Sequence, residues 1–322
     1  MKKLDNIFFF IGIVAFAIMA MQLDLNEVVE GVKRAGYWFP FVILLWALLY
    51  IINMMSWNVI IKAQGGKVGL LWLYKVTIAG FALNYATPGG LMGGEAYRIS
   101  QLTPKVGVEK ASSSVILYVM THIFSHFWFW LVSAILFIIF YSLNTMIYTL
   151  LGVIIVFCLA AIMLFLKGYR NGIVNSLANI CAHIPLVKNS ASRFIEKHRE
   201  KLLNIDMQIS NLHEKNHKAF CLAVFLEFLC RVLSSFEIMF ILLIITPDIS
   251  FLASMLILAF TSLFANMLFF LPLQLGGREG GFMLSVSGLS ISASAGVFVA
   301  LIVRLRELFW TGFGLVRMRV NI

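Results

Sequence analysis

The strongest constraint on this chain is its apolar continuity. Largely apolar stretches occupy residues 7–23, 37–61, 110–140, 145–166, 218–245 and 291–316. A helix needs about 20 such residues to cross the roughly 30 Å hydrocarbon core of a bilayer. The chain of 322 residues is 61% hydrophobic and only 12% charged, against about 25% charged in an average soluble domain. A water-soluble globule cannot bury that share of apolar side chains, and a disordered chain has the opposite composition. Continuous runs, rather than short alternating segments, argue against a transmembrane β-barrel. The expected fold is an all-α polytopic membrane protein, a single integral membrane domain over 1–322.

The formal net charge of +10 fits loops held at a cytoplasmic face by the positive-inside rule, and no nucleic-acid partner is expected. Basic residues gather at Lys2 and Lys3, at Lys62 and Lys67, through 167–217, and at Arg317 and Arg319. Placing all of these in the cytoplasm puts both termini there, in a multi-pass protein of the cytoplasmic (inner) membrane. The stretch 7–23 then reads as a retained first helix rather than a cleaved leader, and 24–36 as a mixed-charge connector. Within 167–217, Phe194, His198, Leu202, Ile205, Ile209 and Leu212 recur at helical spacing, the pattern of an amphipathic surface helix on the cytoplasmic side. Cys158, Cys181, Cys221 and Cys230 form no CxxC pair and read as small apolar side chains.

Two Gly-rich breaks interrupt the apolar pattern in matching register. Pro88 precedes Glu95 by seven residues, and Pro272 precedes Glu279 by seven. A glycine lies five residues after each proline, at Gly93 and Gly277. Gly89, Gly90 and Gly94 enrich the first break, and Gly276 the second. Each break follows an apolar half-helix that itself follows a full span, and each is succeeded by a short piece, a glycine (Gly107, Gly288) and another span. The pattern predicts a first repeat over 37–140 with a re-entrant broken hairpin at 70–107. A second repeat follows over 218–316, with its hairpin at 252–288. With the charge clusters inside, six full spans and two re-entrant hairpins give the two units inverted topology. Broken helices at matching places in inverted repeats point to a transport site near the membrane midplane, since irregular backbone at that depth must line a cavity or be buried in protein.

The run Asn84-Tyr85-Ala86-Thr87-Pro88-Gly89-Gly90 through Gly93-Gly94-Glu95 and Arg98, followed by Pro272, Gly276-Gly277-Arg278-Glu279 and Arg304, resembles the lysylphosphatidylglycerol synthase transmembrane-region family, also called the flippase-like domain. The resemblance covers nearly the whole chain. Leu273-Gln274-Leu275 departs from the smaller residues the second motif would carry. In the bifunctional member of that family such a domain flips aminoacylated phosphatidylglycerol, which a separate soluble aminoacyltransferase domain makes. These 322 residues include no stretch for such a domain, so the resemblance implies a stand-alone lipid translocase rather than a synthase.

Ionisable side chains inside a bilayer are costly, and each is a functional candidate by default. The topology buries Glu95, Glu227, Glu237, Glu279 and Glu307 together with Arg98, Arg231, Arg278, Arg304 and Arg306. Glu95/Arg98, Glu227/Arg231 and Arg304/Glu307 lie at helical pair spacing. Two readings follow. Either the arginines bind an anionic lipid headgroup, with Arg98, Arg278 and Arg304 foremost and the glutamates serving as proton-coupling groups, or the ten charges pair internally and lock the broken helices together. Glu95 and Glu279, early in their helices, also suit a capping role. The hairpin glycines suit either close headgroup approach or tight helix crossing. His122 and His126 lie four apart on one helix without a third ligand, so a packed or hydrogen-bonding pair is expected and no metal site. No Walker A, GxSxG or Rossmann fingerprint occurs, and no cofactor is expected. The reading is a non-enzymatic lipid flippase for an anionic phospholipid or lipid-linked headgroup. The alternatives are a membrane transferase or a partner subunit in glycolipid or polyprenyl-phosphate lipid synthesis; the partners expected are the membrane lipid substrate and either further copies of the chain or an envelope lipid-synthesis enzyme.

Overall fold

The computed structural model describes residues 13, 14, 17, 21, 25–86, 93–142, 144–171, 200, 207, 216–268 and 277–319. The expected first helix at 7–23, the amphipathic segment at 190–215, and Pro88, Gly89, Gly90, Pro272 and Gly276 therefore lie wholly or mostly outside the described residues. Among the described residues the chain is helical throughout, with α1 Leu25–Ala35, α2 Trp38–Ala63, α3 Leu70–Ala86, α4 Gly93–Val106, α5 Val108–Phe140, α6 Thr145–Asn171, α7 His217–Leu242, α8 Phe251–Met267, α9 Gly277–Ser287 and α10 Ala293–Arg319.

Four of these helices, α2, α5, α6 and α7, are long and apolar enough to cross a membrane. Helix α10 has 27 residues and is long enough, but it carries Arg304, Arg306 and Glu307 mid-helix. At 1.5 Å per residue, α4 and α9 extend only about 21 and 16 Å, well short of a bilayer core. The lipid-facing surfaces are legible in the exposure pattern. On α2, Leu44, Leu48, Ile51 and Met55 are exposed while Leu49, Tyr50, Trp57, Ile60 and Ile61 are buried. An exposed apolar stripe at helical spacing is what a bilayer accepts and water does not. Helix α6 exposes Met146, Leu150, Val153, Phe157 and Leu164 and lies at the periphery against α5.

The interior is built on α2 and α7, which run antiparallel. Asn53 Nδ2 donates to Cys230 Sγ at 3.1 Å, Ser56 Oγ donates to the Ala223 carbonyl at 3.2 Å, and Asn216 Nδ2 donates to the Ala63 carbonyl at 3.3 Å. Helices α3 and α4 form an antiparallel hairpin, as do α8 and α9, where Thr261 Oγ1 donates to Ser285 Oγ at 3.1 Å. Each hairpin packs on the last helix of the other half of the chain: α3 on α10, and α8 on α5. Small residues permit the closest of these approaches. A Cβ on Gly314 of α10 would lie 2.6 Å from Ala82 Cβ on α3, and one on Gly296 of α10 would lie 2.8 Å from the Met283 backbone on α9.

Residues 24–36, read as a mixed-charge connector, contain a helix, α1. Glu27 stands in its first turn and Lys33 and Arg34 in its last, the arrangement the helix dipole favours. Gly31 faces Leu301 of α10, and the Arg34 guanidinium lies 5.0 Å from the Phe298 ring centroid. Helix α4 runs through Pro104 to Val106 and stops at Gly107, whose φ of 86° is in the region glycine alone enters freely.

Candidate functional site

Three groups of polar side chains lie inside the apolar bundle. The first forms where α3 meets α4. Asn84, near the end of α3, accepts from the Gly94 backbone N–H at 2.8 Å and donates to Glu95 Oε1 at 2.9 Å. The orphan N–H groups at the start of α4 thus find a partner on the neighbouring helix. Glu95 turns to Asn84 and to Arg98, whose Nη1 lies 3.2 Å away. Arg98 is 1% exposed, and its Nε and Nη2 have no hydrogen-bond partner among the described residues. Its guanidinium lies instead among aromatic rings, 4.7 Å from the Phe81 centroid, 5.3 Å from Tyr118 and 6.0 Å from Trp57. Cation–π attraction offsets part of its desolvation. Room for it comes from Gly80, where a Cβ would lie 2.4 Å from Arg98 Nε.

The second group joins α7 to α5. His122 Nδ1 lies 2.7 Å from Glu227 Oε2, and Glu227 is 1% exposed, its Oε1 without a hydrogen-bond partner among the described residues. One turn on, Arg231 donates from Nε to Ser125 Oγ at 2.6 Å and from Nη2 to the His122 carbonyl at 2.7 Å. Among the described residues no carboxylate lies within ion-pair distance of Arg231. The His126 ring stands edge-on to His122 at 5.6 Å, and its Nδ1 has no hydrogen-bond partner among the described residues. Tyr118 connects the two groups: its ring packs 6.2 Å from His122 and its hydroxyl donates to Asn53 Oδ1 at 3.2 Å.

The third group links α7, α9 and α10. Arg306 and Glu237, both almost fully buried, make two parallel hydrogen bonds at 2.8 and 3.1 Å. The Arg306 guanidinium also lies 3.7 Å from the Trp46 ring. Glu307 takes Arg278 of α9 as its partner, and Glu279 takes Arg304. Tyr85, next to Asn84, lies within electrostatic reach of Arg278, Arg306 and Glu307, so the first and third groups adjoin.

All ten predicted charges thus lie in the bundle, but their pairing differs from helical spacing. Glu95/Arg98 pairs as expected. Glu227/Arg231 does not, because both side chains turn onto α5. Arg304/Glu307 does not pair either, because each reaches across to α9 for a partner with better geometry. His122 and His126 make a ring contact, and the hydrogen bond of His122 goes to Glu227. Asn53, Asn84, Tyr118 and Ser125 were missed by sequence reasoning. Asn84 carried a signal, since it opens the first Gly-rich motif. The others sit as ordinary polar residues within apolar runs.

Apolar spans, buried ion pairs and two hairpins packed within the bundle define a polytopic α-helical membrane protein with a charged interior. Its residues 6–314 match the model of the lysylphosphatidylglycerol synthase transmembrane region, and the chain belongs to that family. No curated protein and no solved structure matches it significantly.

Proposed function

We propose that this protein is a lipid translocase that carries an anionic headgroup through the polar interior of the bundle while the acyl chains stay in the bilayer. The observation that carries this reading is Arg98. A fully desolvated guanidinium whose Nε and Nη2 find no acceptor among the described residues is costly in an apolar interior, and a phosphate supplies the acceptor oxygens it lacks. Membership of a family named for lysylphosphatidylglycerol supports a lipid as the cargo.

In this reading the two halves of the chain are inverted repeats with six full spans and two re-entrant hairpins. The antiparallel packing of α2 on α7, and the reciprocal packing of each hairpin on the other half's last helix, support that relation. Arg98 at the first hairpin and Arg278 and Arg304 around the second would then meet the headgroup from opposite sides of the midplane as the halves rock. Arg231 and Arg306 complete the basic set, while Glu95, Glu237, Glu279 and Glu307 hold the arginines in place between transits.

The test is headgroup translocation in vesicles of phosphatidylcholine and phosphatidylglycerol reconstituted with the purified protein. Wild type moves labelled phosphatidylglycerol between leaflets, and Arg98→Ala, Arg278→Ala and Arg304→Ala each slow it at least tenfold. If all three variants match wild type, these arginines are not the headgroup contacts. If wild type itself moves no lipid, the translocase reading falls.

A further inference from the structure

We propose that Glu227 and His122 form a proton-carrying site, and that one proton taken up there travels with the anionic headgroup bound at Arg231. This rests on the translocase reading and adds an energy source to it.

Among the five glutamates inside the bundle, Glu227 differs in its partner. Glu95, Glu237, Glu279 and Glu307 each face an arginine, so protonating any of them would break an ion pair in a low-dielectric interior. Glu227 faces a histidine. A carboxylate and an imidazole 2.7 Å apart share one proton when the pair is neutral–anionic and accept a second without losing their contact. Glu227 Oε1, buried and unpartnered among the described residues, is where the second proton resides if the carboxyl takes it. His126, edge-on to His122, offers a neighbouring ring nitrogen along α5.

Arg231 makes this proton count matter. Its guanidinium is held by two uncharged oxygens, Ser125 Oγ and the His122 carbonyl, so among the described residues its positive charge is balanced by Glu227 one turn away. With Glu227 ionised, the group Glu227–His122–Arg231 is electrically neutral. Adding one proton leaves it at +1, and an anionic headgroup restores neutrality. In an interior where a single uncompensated charge is expensive, proton and headgroup therefore favour each other's binding. Losing the proton on the far side returns the group to neutrality without the headgroup, which is then released. No electrons move, and each cycle transfers one proton and one anionic lipid in the same direction.

The surroundings leave this balance in place. Helix α7 packs against α2, α5, α8 and α10. Helix α5 contributes Tyr118, His122 and His126. Helix α8 contributes no charged side chain, and α2 contributes Asn53. On α10, Arg304 and Arg306 are bound to Glu279 and Glu237, and Glu307 to Arg278. The nearby Arg98 is offset by Glu95. On α7 itself the other groups are Cys230 and Glu237, with His217, Lys218 and Cys221 in its first two turns.

The experiment uses the same vesicles, with tail-labelled phosphatidylglycerol and an imposed gradient of about one pH unit. One proton per lipid converts that gradient into a leaflet ratio of up to about tenfold. The label accumulates in the leaflet facing the alkaline side, and the ratio does not respond to a potassium diffusion potential because the cycle is electroneutral. Glu227→Asp keeps a titratable carboxyl and keeps the gradient response. E227Q exchanges lipid with a ratio of one at any gradient. The proposal is overturned if E227Q retains the wild-type ratio, or if wild type exchanges lipid with a ratio of one. Should E227Q prove inert, proton uptake decides. Phosphatidylglycerol binding to the solubilised wild type takes up about one proton per lipid, read from titration heats in two buffers of different ionisation enthalpy, and zero uptake overturns the proposal. A wild type that moves no lipid refutes the translocase reading instead.

Discussion

Arg306 and Glu237 meet through two parallel hydrogen bonds, at 2.8 and 3.1 Å, with both side chains 3% exposed. Burying both ions costs several kcal/mol each, and the fork geometry recovers that cost only while both partners are present. Arg306→Ala therefore leaves a buried carboxylate and destabilises by about 3–5 kcal/mol. Glu237→Ala strands the guanidinium over Trp46 with a similar loss. The double change Arg306→Met with Glu237→Leu removes both charges and is milder than either single variant. Thermal unfolding in detergent reads the ranking, and additive losses in the double variant would refute a coupled pair.

The glycines of the bundle separate into two kinds. A Cβ on Gly94 would lie 2.1 Å from the Gly80 carbonyl oxygen and 2.5 Å from Asn84 Oδ1, which forces α3 and α4 apart. Gly152 on α6 has nothing within 4 Å. Gly94→Ala is expected to destabilise by about 1–3 kcal/mol, as overpacking does, and to slow lipid exchange. Gly152→Ala leaves both unchanged or raises stability slightly, because alanine is the better helix former. Equal effects of the two substitutions on the unfolding midpoint would show that the hairpin does not depend on close approach.

Four of the expected spans were legible because hydropathy is a local signal. Trp38–Ala63, Val108–Phe140 and His217–Leu242 lie within a few residues of the stretches read from composition. Helix α1 was obscured because its charged face mimics a loop when no packing partner is known. Its apolar face is explained chiefly by α10, more than 250 residues away in sequence. The pairing of charges was also illegible. Spacing of three or four residues says that two side chains share a helix face, not that they touch. Arg304 and Glu307 share a face and still choose Glu279 and Arg278. His122 and Glu227 are separated by 105 residues, and only the packing of α5 on α7 brings them together.

Asn84 is one amide serving both sides of a helix break, accepting from the Gly94 N–H and donating to Glu95 Oε1. Asn84→Ala leaves the Gly94 donor and one Glu95 contact unmet and costs about 1–3 kcal/mol. Asn84→Asp preserves the acceptor for Gly94 but sets a second carboxylate against Glu95, so its loss grows as pH rises through the carboxylate range. Unfolding midpoints of wild type, Asn84→Ala and Asn84→Asp at low and neutral pH check this. A pH-independent Asn84→Asp deficit would mean that Glu95 does not face residue 84.

The contact between Asn216 and the Ala63 carbonyl places the end of α2 and the start of α7 at the same membrane surface. Helix α7 then runs 26 residues, about 39 Å, to a turn that holds the exposed Asp248. Lys67, just beyond α2, and Asp248 must therefore lie on opposite sides of the bilayer, whichever way the protein is inserted. The positive-inside rule chooses between the two insertions, and the expected outcome is Lys62 and Lys67 on the cytoplasmic side and Asp248 on the exterior. With the exposed Cys221 replaced by Ser, a membrane-impermeant maleimide applied to intact cells labels Asp248→Cys and spares Lys67→Cys until the membrane is opened. Labelling of Lys67→Cys alone would reverse the orientation while leaving the helix pairing intact. Labelling of both from one side would contradict α7 as a complete crossing, and with it the antiparallel α2–α7 core on which the inverted-repeat reading depends.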